Sequence, residues 1–373
     1  MINIPPFVQN LVPYKAGKPI DELAREKKLS KIVKLASAEN PLGPSPKAVE
    51  AIKKGVLGLN RYTDPASYDL VQAIAQKYHV QPNHIICGHG TDSLLAYIVS
   101  AFTTEDDEII TSEGTFIGIY VTIRKTGRKL IQVPMKNHGF DLAKILHAIS
   151  DKTRMIYLAN PNNPTGTMIN REELEAFMEQ VPKHIMVILD EAYTAYANGN
   201  PEYPNGVRYD YENMVVTRTF SKAYGLAGLR IGFAVGPDKV IEALYKVKLP
   251  FEPNLLAQQA AIAALDDEEF LKKSIELNKK SLAILYECFN ENNILHVETS
   301  TNFILTLMPT EEFARDFANE CLNRGLIVRH VDTFGISNGI RINSGTIEET
   351  EFATGIIGEV YQLLKEKNKT KNI

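Results

Sequence analysis

The chain has 373 residues, of which 44% are hydrophobic and 23% charged, and a formal net charge of −4. That length supports a large core divided between two domains, the composition is that of an ordinary globular protein, and the mild acidity gives no electrostatic basis for binding nucleic acid. The three cysteines, Cys87, Cys288 and Cys321, stand far apart without CxxC spacing, which argues for a reducing compartment and against a disulfide framework. The start, MINIPPFVQNLVPY, lacks the basic region of a signal peptide, and no run approaches the ~18 apolar residues of a membrane span, so a cytoplasmic location is expected.

In chain order, the Pro-rich stretch NPLGPSPKAVE (40–50) reads as an extended arm entering a first helix. From about residue 85 short β-branched runs alternate with amphipathic stretches. Strands are expected at HIIC (84–87), EIIT (108–111), KLIQV (129–133), RMIYLA (154–159), HIMVILD (184–190), NMVVTRT (213–219) and RIGFAV (230–235), with helices beginning at Thr91, Phe116, Leu142, Arg171 and Asp238. This alternation predicts a mostly parallel sheet covered on both faces. Residues 266–292 read as one long helix capped by Asp266. After it come HVETSTNFILTLM, a helix near 310–324, LIVRHV, GIRINSG and a last helix near 347–366, with a frayed basic tail. The division expected is a large domain at 46–265 and a smaller α+β domain at 266–373 joined by the arm at 1–45.

Four stretches carry the chemistry. In RTFSKAYGLAGLRIG (218–232), Lys222 follows a strand and is expected at the start of a Gly/Ala-rich helix, at the carboxyl edge of the sheet where ligands bind. A desolvated lysine there acts as an amine nucleophile, Gly225 and Gly228 would permit close backbone approach, and Arg230, Thr219 and Ser221 could hold an anion. The competing reading is a surface lysine with glycines placed for packing. In ILDEAYTAY, Asp190 ends a buried strand, where an acid is costly without a partner; it pairs with a protonated ring nitrogen, with Tyr193 donating to a ring oxygen, or it caps the next loop. ANPNNPTGT (159–167) is a rigid loop whose X-Pro bonds favour cis peptides and which presents Asn163, or it is an ordinary turn. CGHGTDSLLAYIV (87–99) is a strand, a Gly loop and a helix whose first N–H groups suit phosphate, with Gly90, Thr91 and Asp92 at its start. The eight histidines show no HExxH-like pairing, so no metal site is expected.

A lysine, an acid for a pyridinium nitrogen and a helix start for a phosphate are the parts that pyridoxal 5′-phosphate requires. With them, VPYKAGKPI, KLASAENPLGPSP, RYTDPASYDL, NPNNPTG, DEAY, RTFSKAYGLAGLRIG and GIRINSGT resemble, over nearly the whole chain, the fold-type I, class I/II aminotransferases, and most of all the histidinol-phosphate aminotransferase family. The resemblance implies an α/β pyridoxal-phosphate enzyme. It makes Lys222 the Schiff-base lysine and Asp190 the partner of the ring nitrogen. Tyr193 and Asn163 contact the ring oxygen, and Gly90, Thr91, Asp92, Thr219, Ser221 and Arg230 hold the phosphate. Phe116 stacks on the ring, Tyr62 reaches the phosphate of the neighbouring subunit of a homodimer, Arg341 binds the substrate anion, and Tyr14 and Arg329 shape the substrate pocket. Three departures stand out: Ala38 replaces the first Asn of the family's NEN, Ser93 replaces a Glu, and Phe116 follows EGT where Pro and Tyr are usual.

The implied reaction is ping-pong transamination between histidinol phosphate and 2-oxoglutarate, within histidine biosynthesis. Lys222 relays the proton at the substrate's Cα, and the small-molecule donor and acceptor are the only partners besides a second subunit. An aromatic amino-acid aminotransferase and an amino-acid phosphate decarboxylase on the same scaffold are the alternatives. A catalytically silent cofactor-binding protein is a third, and the intact Lys222, Asp190 and Arg230 argue against it.

Overall fold

The structure, a computed structural model, describes residues 2–9, 11, 29 and 31–371. Its strands are β1 (Val33–Lys34), β2 (Ile85–Gly88), β3 (Glu108–Ser112), β4 (Lys129–Val133), β5 (Thr153–Ala159), β6 (Met186–Asp190), β7 (Met214–Thr219), β8 (Gly232–Val235), β9 (Leu295–Val297), β10 (Phe303–Leu307), β11 (Leu326–Ile327), β12 (Arg329–His330) and β13 (Gly339–Asn343). The seven strands β2 to β8 form one sheet in the order β2-β8-β7-β6-β5-β3-β4, parallel except for β8, which runs antiparallel to both neighbours. Each expected strand of this sheet is present to within two residues.

Both faces of the sheet are apolar. Ile156 and Leu158 of β5 and Val187 and Leu189 of β6 point into one core. Met155, Tyr157, Met186 and Ile188 point into the other, as the two-residue period of a strand requires. A third core gathers β1, β10, β13 and the helices Glu268–Glu291, Glu311–Asn323 and Ile347–Lys371. There β12-β13-β10-β9 form an antiparallel sheet, and β1 pairs in parallel with β11.

The departures from expectation have local causes. The helix Leu255–Leu265 (LLAQQAAIAAL) was not expected; it lies among buried alanines and has no polar stripe to reveal its period. The helix Tyr68–Tyr78 was also not foreseen. The long helix is capped by Asp267 rather than Asp266: the Asp267 side chain accepts from the Phe270 N–H at 3.3 Å and from the Ser45 hydroxyl at 2.6 Å. Ser45 in turn caps the helix Pro46–Gly55, so one hydrogen bond ties two helix starts together. The last helix runs to Lys371, past the end expected near 366.

Candidate active site

The segment after β7 is not the expected helix. Residues 220–226 form turns, followed by a short 3₁₀ turn at Ala227–Leu229. Gly225 has φ +70°, which a right-handed helix cannot contain, and a Cβ there would collide with the Gly43 carbonyl oxygen and come within 3.0 Å of Pro44 Cα. Gly225 therefore lets the lysine loop lie against the arm. Gly228 has open space around it and no such role.

The loop delivers Lys222 to a cavity of about 400 Å³ at the carboxyl ends of β5, β6 and β7, lined also by Asp190, Tyr193, Asn163, Phe116 and Arg230. Lys222 Nζ donates to the Ser37 carbonyl at 3.4 Å and stands 5.7 Å from the centre of the Tyr193 ring. Burial, and after it the charge of Arg341, push the lysine amine down to about 8.

Asp190 ends β6 at 4% exposure. Oδ2 accepts a 2.7 Å hydrogen bond from the Tyr157 hydroxyl, while Oδ1 is buried without a hydrogen-bond partner. Burial pushes the carboxyl up to about 6 despite the Tyr157 bond. Tyr193 is buried edge-on against Phe303, with ring centres 5.1 Å apart, and burial pushes its phenol up to about 12, so at neutral pH it is a donor.

At the other end of the cavity the helix Gly90–Phe102 begins. Gly90 has φ +76°, and a Cβ there would come within 2.8 Å of the Arg230 guanidinium. Arg230 donates to Asp92 Oδ2 at 3.2 Å and to Ser221 Oγ at 3.3 Å, and the Thr219 hydroxyl donates to Ser221 Oγ at 3.0 Å. Thr91 and Asp92 also line the cavity. A guanidinium, two hydroxyls and a helix N-terminus thus converge on one spot, a donor set suited to an anion, with the Asp92 carboxylate pairing with Arg230 at its edge. Phe116 precedes the helix Ile117–Lys125 and lays its ring against Gly118, where no Cβ would fit.

Arg341 on β13 donates to Asn163 Oδ1 at 2.5 Å and to the Ala36 carbonyl at 2.7 Å, with its guanidinium 4.9 Å from the centre of the Phe303 ring. Its Cα partner across the β12–β13 ladder is Arg329, so the two arginines share a face of that sheet. Tyr62 does not join the cavity of this chain. It is 83% exposed and stacks on Phe251 at 4.3 Å. Tyr14 lies outside the described residues. Of the departing positions, Ala38 is buried beside Tyr193 and Phe303 with φ +52°, a conformation that an asparagine adopts more readily, and Ser93 donates to the Gly90 carbonyl at 3.2 Å. Two features carry little signal in the sequence: Tyr157 beneath Asp190, and the buried ion pair of Arg218 with Glu191 at 2.5 Å, one residue from Thr219 and Asp190 respectively. Their partners are distant in sequence, and only the strand alternation hints at them.

A free carboxylate oxygen, an amine of lowered pKa and an anion-binding end, set around one cavity, suit a flat aromatic ring that carries a carbonyl and a phosphate. Pyridoxal 5′-phosphate fits this donor and acceptor set.

Known proteins agree. A 40% identical protein of Hydrogenovibrio crunogenus, named histidinol-phosphate aminotransferase 2, aligns over 95% of each chain. A Haemophilus influenzae protein of the same name is 41% identical over 92% of this chain and 94% of its own. The crystal structure of histidinol-phosphate aminotransferase from Sinorhizobium meliloti, in complex with pyridoxal-5′-phosphate, superposes with a TM-score of 0.90 at 28% identity, covering 98% of this chain and 99% of that one. The α/β architecture is that of the fold-type I enzymes. Residues 30–357 match the family described as aminotransferase class I and II, and to that family the chain belongs.

Proposed function

We propose that the chain is a pyridoxal-phosphate-dependent aminotransferase that takes the amino group of histidinol phosphate and passes it to 2-oxoglutarate. When bound, the cofactor supplies an aldehyde that accepts the amino group and a ring that accepts the electron pair left at the substrate's Cα. Lys222 anchors that aldehyde at rest; once freed, its amine takes the proton from the substrate's Cα and delivers it to the former aldehyde carbon, a task suited to a pKa brought down to about 8. Asp190 keeps the ring nitrogen protonated through its free Oδ1. Tyr193 and the Asn163 amide donate toward the ring oxygen, and Phe116 covers the ring. The start of the helix Gly90–Phe102, with Thr91, Thr219, Ser221 and Arg230, holds the phosphate.

The observation that carries the substrate assignment is the pairing of Arg329 with Arg341 across β12 and β13. Two guanidinium groups on one sheet face suit a phosphate monoester, whose charge and acceptor oxygens exceed what one fork satisfies. Relatives at about 40% identity bearing the histidinol-phosphate name support the same reading. The test is kcat/KM for histidinol phosphate against phenylalanine with 2-oxoglutarate as acceptor. A preference for phenylalanine overturns the substrate, and release of CO₂ in place of keto product overturns the reaction.

We further propose that the chain works as a homodimer in the cytoplasm. Leu57, Leu59, Tyr62, Tyr68, Leu249 and Phe251 are exposed apolar side chains, which suits a surface covered by a second copy. Tyr62 within that set would serve the neighbouring subunit's phosphate. The three cysteines are free and buried, in keeping with a reducing compartment, and among the described residues no helix is long and apolar enough to cross a membrane. The large domain spans 46–265, and the arm 1–45 joins 266–373 as the second.

A further inference from the structure

Ala159 is the Cα partner of Asp190 across the β5–β6 ladder, and Tyr157 lies two residues earlier on β5, on the same face. From that position the Tyr157 hydroxyl donates to Asp190 Oδ2 at 2.7 Å. Tyr157 has no exposure at all and belongs to the core beneath the cavity. It accounts for one carboxylate oxygen and leaves the other, Oδ1, buried and free.

We infer that Tyr157 is a positioning residue for the aminotransferase reaction: its hydroxyl fixes the rotation of the Asp190 carboxyl and holds it ionised, so that the single free oxygen meets a cationic ring nitrogen. This rests on the reading of Asp190 as the partner of that nitrogen. A hydroxyl donating to a carboxylate favours the ionised form, against the burial that disfavours it. Burial dominates in the cofactor-free chain, where Asp190 is pushed up to about 6. The Thr217 hydroxyl on β7 and the Asp92 carboxylate at the start of the helix Gly90–Phe102 also face Asp190. Tyr193 follows β6, and Lys222 and Arg230 share the cavity. Among the groups that favour the ionised carboxyl, Tyr157 is the strongest, through its 2.7 Å hydrogen bond, ahead of the Thr217 hydroxyl and the Ala192 backbone N–H. Removing its donor therefore raises the Asp190 pKa further, and the carboxylate becomes neutral at a higher pH than in the wild type.

The experiment is titration of the cofactor-free enzyme with pyridoxal 5′-phosphate from pH 5 to 8, read as the dissociation constant. In Tyr157→Phe, which deletes one oxygen atom, the acid-side loss of affinity should move up by about one pH unit. In an Asp190→Asn background the Tyr157→Phe change should leave the pH profile unmoved, an outcome that a merely structural tyrosine would not give. An unchanged midpoint in Tyr157→Phe, with Asp190→Asn still altering the profile, overturns the role of Tyr157. An Asp190→Asn profile identical to wild type overturns the underlying reading of Asp190 instead. If Phe at this position prevents folding, Tyr157→3-fluorotyrosine, whose more acidic hydroxyl donates more strongly, must move the midpoint down, and an unmoved midpoint overturns the inference.

Discussion

Replacing Arg341 by alanine tests its proposed role in binding the substrate anion beside Asn163, a residue of the cavity wall. Arg341 is 5% exposed and makes hydrogen bonds to Asn163 Oδ1 and the Ala36 carbonyl. Truncation leaves both acceptors without a donor, at about 1–3 kcal/mol for each, so a melting temperature several degrees lower is expected. Loss of a buried charge-assisted bond to the substrate anion costs about 1.5–3 kcal/mol, or roughly ten- to a hundredfold in kcat/KM. Arg341→Ala should therefore impair histidinol phosphate and phenylalanine alike, whereas Arg329→Ala should impair histidinol phosphate more. A second signature follows from the charge. Arg341 is the strongest charged influence holding the Lys222 amine down at about 8, so its removal raises that pKa. Arg341→Lys keeps the charge while losing the fork. The rate at which the cofactor-free enzyme takes up pyridoxal 5′-phosphate, measured against pH, should shift to higher pH in Arg341→Ala and much less in Arg341→Lys. Retention of more than half the wild-type kcat/KM in a folded Arg341→Ala enzyme would refute the anion-binding role. Equal losses on both substrates in Arg329→Ala would remove the phosphate-specific role of that residue.

Lys222→Met should abolish turnover, and it should also stabilise the cofactor-free chain at pH 7: a lysine whose folded pKa lies below its unfolded value is destabilising below about 8, and the deficit shrinks as pH rises toward 10.5. Chemical denaturation at pH 7 and 9.5 checks this, and a gap that widens with pH contradicts it. Gly225→Ala should lower stability by about 2 kcal/mol or more, because of the positive φ and the Gly43 contact, while Gly228→Ala should change it by less than about 1 kcal/mol; thermal melts of the two variants decide. Mixing inactive Lys222→Ala chains with impaired Tyr62→Phe chains should restore activity if Tyr62 serves the neighbouring site, and no recovery despite subunit exchange would count against it. Phe251→Ala should weaken cofactor affinity in the same direction as Tyr62→Phe, since Phe251 holds φ +62° and 42% exposure while stacking on Tyr62; titration of the cofactor-free variants measures this.

What the sequence reveals depends on the range of the interactions involved. β6 and its terminal Asp190 are legible because an unbroken apolar run ends in an acid. Lys222 and Arg230 are legible because Gly and Ala surround them. The turn after β7 departs from the expected helix: the alanines and leucine of AYGLAG favour a helix and its two glycines do not, and the contact of Gly225 with Gly43, far away in the chain, shows why the backbone turns left-handed. The helix Leu255–Leu265 was missed because it is apolar on nearly every side, which erases the 3.6-residue signal. Tyr157 looks like one more apolar strand residue until β6 is laid beside β5.

The sheet order also bears on the chain as it is being made. β3 pairs with β4 and β5, β5 with β6, and β6 with β7, so the parallel centre can grow in the order of synthesis. β2 cannot join then, since among the described residues its one neighbour is β8, and β1 must wait for β11. Until β8 emerges, the apolar Ile-Ile-Cys-Gly edge of β2 stays without a partner, which makes it a target for chaperones and for self-association. The anion end and the lysine loop can close once β8 is in place, whereas Arg341 arrives only with β13. A nascent chain therefore carries Lys222, Asp190 and Arg230 before it carries Arg341, and any cofactor bound once the helix Leu255–Leu265 completes that core would stabilise the half-built fold by mass action.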